Sequence, residues 1–160
     1  MKAVTVKELK TELNNRSTQE LIDLCLRLSR FKRENKELLT YLLFELHDED
    51  NYIRSIKAEV DLQFEIINTN SYYYIRKSIR KILRTIKKFI RYSLKTETEV
   101  ELLLYFCEKL QNFTPTIEGN TALTNLYDRQ LIAIKKKVTT LHEDLQYDYQ
   151  LELDELTRNP

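Results

Sequence analysis

One glycine and two prolines in 160 residues constrain this chain more than any other feature of its sequence. β-Sandwiches, barrels and glycine-rich phosphate loops need those residues at tight turns and close backbone approaches, so all three are nearly excluded. A helical chain is left. Its 42% hydrophobic content supplies a core, and its length fits one domain over residues 1–160. Lys and Arg total 26 against 25 Asp and Glu, a net charge of +1. That balance excludes a globally basic nucleic-acid coat and an acidic tail, while leaving room for local fields.

Helix entrances are legible in the spacing of hydroxyl and carboxylate residues. Thr5 precedes Glu8 by three, Ser17 precedes Glu20 by three and Thr96 precedes Glu99 by three. Each pair fits a capping box, in which the two side chains satisfy exposed amides at a helix start. Apolar periodicity then predicts helices over about 6–13, 18–31, 36–47, 51–67, 72–94, 97–112 and 122–156. These group as short N-terminal helices within 5–47, long ones within 51–94 and C-terminal ones within 96–157. The clearest loop is 113–120, which holds Pro115 and the lone Gly119. A second falls at 68–71, with Asn70 or Ser71 capping the next helix.

Two helices carry seven-residue stripes. Ile75, Ile79, Ile82, Ile86 and Phe89 are spaced four, three, four, three; Tyr127, Leu131, Ile134, Val138, Leu141 and Leu145 repeat the pattern. Such seams pack against long neighbours. The expected fold is an all-α bundle of about six or seven mostly antiparallel helices around these two. A last helix of about 35 residues would reach roughly 50 Å and overhang a domain of this size. It therefore bends or breaks near Gln146, or packs its end on a partner chain. A shift of 82 residues aligns Leu21, Cys25, Leu28 and Phe31 with Leu103, Cys107, Leu110 and Phe113, a faint sign of duplication.

The strongest functional signal is the fifth helix. It carries Arg76, Lys77, Arg80, Lys81, Arg84, Lys87, Lys88 and Arg91, with Lys95 just beyond, and no acidic residue. At 100° per residue these nine occupy an arc of about 140°, roughly opposite the isoleucines. Tyr73 projects into the arc, Tyr74 borders it and Tyr72 lies nearer the apolar side. Cations neutralise phosphates and tyrosine rings stack on bases, so the face suits RNA or DNA. It equally suits an acidic surface: Glu143, Asp144, Asp148, Glu152, Asp154 and Glu155 form one acidic segment, and Glu45, Asp48, Glu49 and Asp50 another. The favoured reading is a non-enzymatic interaction or scaffolding protein that presents this face to an acidic partner or to its own acidic C-terminal segment, with self-association as a homodimer among its expected states. The alternative is a nucleic-acid-binding module using the same residues with Tyr73 and Tyr74.

Catalysis has thin support. His47 precedes Asp48-Glu49-Asp50 and His142 precedes Glu143-Asp144, but neighbours on a helix point about 100° apart and cannot all face one ion. Neither Glu-x-x-His nor His-Glu-x-x-His occurs. Catalytic residues, metals, cofactors and a small-molecule substrate are therefore not expected. Cys25 and Cys107 sit in apolar helical patterns and read as free, buried thiols of a reducing compartment. Of the ten tyrosines, Tyr41, Tyr52, Tyr105, Tyr127, Tyr147 and Tyr149 fall on or beside apolar stripes, where the ring is buried and the hydroxyl wet. The first residues lack the apolar stretch of a signal peptide, and the longest apolar runs fall far short of the ~20 residues a membrane helix needs. A cytoplasmic protein without membrane contact is expected.

One resemblance covers most of the chain. Leu9-Lys10-Thr11-Glu12-Leu13, then Glu20 to Leu24, the stretch from Arg76 to Phe89, Glu99 to Phe106, Leu126-Tyr127 and Ala133 to Lys136 are similar to an uncharacterised all-helical bacterial domain family. The resemblance implies an all-helical fold and brings no activity and no functional residue. The aromatic, glycine-rich ending of longer members is missing.

Overall fold

Eight helices carry the chain in the computed structural model, which describes residues 1–158: α1 (Val6–Asn14), α2 (Thr18–Phe31), α3 (Arg33–Thr40), α4 (Glu49–Glu65), α5 (Tyr72–Ser93), α6 (Thr96–Gln111), α7 (Thr121–Val138) and α8 (Glu143–Arg158). A π turn over Tyr41–Glu45 continues α3. No strand occurs among the described residues, so the all-α class is the observed one. The chain divides into two compact units, Met1–Phe44 and Glu45–Pro160.

In the first unit two of the anticipated capping boxes form. Thr5 Oγ1 accepts from the Glu8 amide while Glu8 accepts from the Thr5 amide, and Ser17 and Glu20 repeat the exchange. Helices α2 and α3 pack together, and Asn35 Nδ2 donates to the Leu28 carbonyl at 2.8 Å. Cys25, expected to be buried, is exposed. Within its unit α2 packs on α3, which covers one side only, and Leu24, Leu28 and Phe31 are exposed as well.

The second unit is built around α6, which packs against α4, α5, α7 and α8. A helix with four neighbours must be apolar on nearly every side, and here Val100, Leu102, Leu103, Leu104, Phe106, Cys107 and Leu110 are all buried. Burial of each such side chain is worth about 1.5–3 kcal/mol. The isoleucines of α5 at 75, 79, 82 and 86 face this core with at most 2% exposure. The pattern that suggested a duplication has no structural counterpart, since Leu103, Cys107 and Leu110 are core while Leu28 and Phe31 are exposed.

Three expectations are corrected in this unit. The third capping box does not form: Lys95 occupies the N-cap of α6 without a side-chain bond, and Glu99 instead pairs with Lys137 at 2.8 Å. The expected break in the last helix occurs, but earlier than Gln146: the helix stops at Val138 and restarts at Glu143. Thr139 and Thr140 turn their hydroxyls back onto the carbonyls of Lys136 and Lys137 at 2.8 and 2.7 Å, and Gln146 Nε2 closes the turn on the Leu141 carbonyl at 2.7 Å. The chain thereby folds back, and α8 buries Tyr149, Leu153 and Leu156 beside α6 and α7. That spacing sets the stripe of α8 and leaves Tyr147, two residues and about 200° from Tyr149, 68% exposed rather than half-buried.

Among the other tyrosines the rings are packed as expected, but hydroxyls expected to stay wet are bonded to protein groups instead. Tyr52 donates to the Phe89 carbonyl, Tyr127 to the Leu156 carbonyl and Tyr105 to Asp61. At one end of the unit Glu49 accepts from Ser93 Oγ, Thr98 Oγ1 and Lys95 Nζ, which ties the start of α4 to the end of α5 and the start of α6. The loop ahead of α7 is pinned by Tyr72, whose hydroxyl donates to the Thr116 carbonyl at 2.8 Å. No helix among the described residues is long and apolar enough to cross a membrane.

Candidate cationic interaction face

Helix α5 is the two-sided rod that its sequence describes. Its isoleucine stripe anchors it against α4 and α6, and Leu94 ends it in a left-handed cap with φ 57°. Because the stripe is sequestered, the basic arc must point away from the core. Lys77, Arg80, Lys81, Arg84, Lys87 and Arg91 are exposed, while Arg76 and Lys88 are half-buried. Lys95 is exposed but committed, pairing with Glu49 at 2.7 Å. Lys88 lies with its ammonium 4.7 Å from the Phe89 ring centre. Among the described residues, no carboxylate lies within ion-pair distance of Arg76, Lys77, Arg80, Lys81, Arg84, Lys87 or Arg91.

These side chains enclose a shallow groove of about 590 Å³ along α5, lined by Tyr73, Arg76, Lys77, Arg80, Leu83, Arg84 and Lys87. Tyr73 and Tyr74, 62% and 46% exposed, meet edge to face at the N-terminal end with ring centres 5.3 Å apart. Arg76, Arg80 and Arg84 follow one another at about 6 Å, four residues of helical rise. An array of fixed cations without carboxylate partners among the described residues attracts a multivalent anion, because each added contact releases bound salt and the field is not spent internally.

The acidic C-terminal segment does not cover this face. Helix α8 lies on α6 and α7, and no ion pair among the described residues joins its carboxylates to α5. Its carboxylates contribute instead to a cleft of about 330 Å³, lined by Lys57, Glu101, Tyr105, Glu108, Leu145, Asp148, Tyr149 and Glu152. Lys57 pairs with Glu101 at 2.7 Å and lies 5.1 Å from the centre of the Tyr105 ring. Desolvation, followed by the like charges of Glu101, Glu108 and Glu155, raises the pKa of Glu152 against the opposing pull of Lys57. Burial likewise raises the hydroxyls of Tyr105 and Tyr149, with nearby carboxylates adding to the shift. The α6 half of this cleft was not anticipated. Glu97, Glu101 and Glu108, spaced four and seven, were the readable sign of an acidic stripe beside an apolar helix.

The histidines stand apart from any such cluster. His47 and His142 are both exposed, and His142 Nδ1 accepts from the Asp144 amide at 3.4 Å. No group of three or more metal-ligating side chains occurs among the described residues. Desolvation pushes the buried Cys107 thiol up to about 12, so it stays protonated and a poor nucleophile.

No protein-family model matches the chain. No curated protein and no solved structure matches it either. The resemblance to a helical bacterial family therefore assigns no residue a role.

Proposed function

We propose that this is a non-enzymatic interaction protein of the cytoplasm that docks on an acidic protein surface through the cationic face of α5. The observation that supports this most is the set of seven cations, from Arg76 to Arg91, that find no carboxylate within ion-pair distance among the described residues. An unpaired field of that density carries self-repulsion, which an acidic partner offsets beyond what salt screening achieves. The free, exposed thiol of Cys25 agrees with a reducing compartment.

An acidic patch of limited extent suits the charge distribution better than a long polyanion. Outside 76–95 the chain carries 17 cations against 25 carboxylates, so a strand running past α5 meets net negative charge. The exposed Tyr73–Tyr74 pair favours a second reading, in which single-stranded nucleic acid lies along the groove and stacks on the rings.

Fluorescence anisotropy with labelled poly-glutamate and with a labelled single-stranded oligonucleotide, each at low and high salt, tests the two. Poly-glutamate binding that falls with salt, and falls at least about tenfold in Arg80→Glu/Arg84→Glu protein of unchanged helicity, is expected. No poly-glutamate binding at low salt overturns the reading. Tighter oligonucleotide binding that Tyr73→Ala weakens selects the nucleic-acid alternative.

A further inference from the structure

Resting on the reading of α5 as an acidic-surface ligand, we infer that its partner is a second copy of this chain, which receives α5 in the cleft between α6 and α8. Charge complementarity carries the inference. The cleft holds four carboxylates and one lysine, and that lysine is already engaged by Glu101. Glu108, Asp148 and Glu152 have no cation within ion-pair distance among the described residues, as Arg80, Arg84 and Lys87 have no anion. The molecule thus carries an unmatched positive ridge and an unmatched negative groove.

The shapes agree as well as the signs. The side chains at 80, 84 and 87 form a ridge along one helix, with steps of about 6 and 4.5 Å. The cleft is the furrow between two packed helices, and ridges of one helix seat in such furrows. Tyr105 and Tyr149 wall it, and guanidinium groups pack favourably over tyrosine faces, as the Lys57 ammonium already does over Tyr105. Burial first, and then the like charges of Glu101, Glu108 and Glu155, raise the pKa of Glu152, and an entering cation relieves the like-charge part. The two faces share no residue, so copies can join reciprocally as a two-fold pair, as a larger ring or as an open chain.

Charge exchange tests this. One variant carries Arg80→Glu and Arg84→Glu, the other Glu108→Arg and Glu152→Arg, each checked for native helicity by circular dichroism. Light scattering at about 50 mM salt should show wild-type mass rising with concentration to at least twice the monomer, and returning to monomer at about 500 mM. Each variant alone should stay monomeric, and an equimolar mixture should recover the assembly, because each altered face then meets its opposite. Wild type that remains monomeric while still binding poly-glutamate overturns self-docking and leaves the acidic-partner reading standing; loss of both removes both. Association that survives either variant, or that mixing does not restore, also overturns the proposal.

Discussion

Leu94 shows how a single residue sets the geometry of a helix end. It is 85% exposed and holds φ at 57°, a conformation that costs a side-chain-bearing residue about 1–2 kcal/mol and glycine almost nothing. Leu94→Gly is expected to stabilise the protein by about 1 kcal/mol net of added chain entropy, read as a higher urea midpoint. The two cysteines differ as sharply. At about pH 8 a thiol reagent should modify one cysteine per folded chain quickly, Cys25, and leave Cys107 until the protein unfolds. Cys107 keeps its proton to about pH 12 when folded but titrates near its ordinary 9.0 when unfolded. The unfolded state therefore holds fewer protons above pH 9, and stability should fall as pH rises from 9 towards 12. Cys107→Ser flattens part of that slope in a series of melts across the range.

At the scale of elements, periodicity reported faces faithfully and junctions poorly. The buried isoleucines of α5 and the exposed arc from Lys77 to Arg91 could be read from spacing alone, because a helix with one core-facing stripe has no other way to bury it. The length of the last helix called for a break, but spacing did not place it after Val138. The apolar stripe runs on through Leu141 and Leu145, and the turn is made by two threonine hydroxyls and a glutamine side chain reaching back several residues. Thr96 misled for a related reason: Lys95 takes the cap position, and Glu99 is drawn to Lys137 on a helix distant in sequence. Ile79→Ala, at a site with no solvent exposure, should cost about 2–5 kcal/mol in chemical unfolding, whereas Lys81→Ala on the same helix should stay within about 0.5 kcal/mol. Glu49→Ala strands the hydroxyls of Ser93 and Thr98 and should cost about 1–3 kcal/mol.

For the molecule as a whole, composition announced helices but not how unevenly burial is shared. Apart from Tyr41, every buried apolar side chain among the described residues belongs to the unit that begins at Glu45. Residues 45–160 produced alone should keep a cooperative thermal transition, while residues 1–44 alone should show little helix by circular dichroism. The cationic and acidic surfaces differed in legibility for an equally physical reason. The first lies on one continuous helix and is visible as a run of letters, whereas the second is assembled from α6 and α8, with Glu108 and Glu152 brought together by the fold. The anchoring of α5 has a practical consequence. Trypsin cuts after arginine and lysine, and this helix is the densest run of its sites, yet a protease must unwind a segment to cleave it. Those bonds stay shut while the isoleucines remain seated, so digestion within residues 76–95 acts as a gauge of global opening, and any occupant of the face should slow it further.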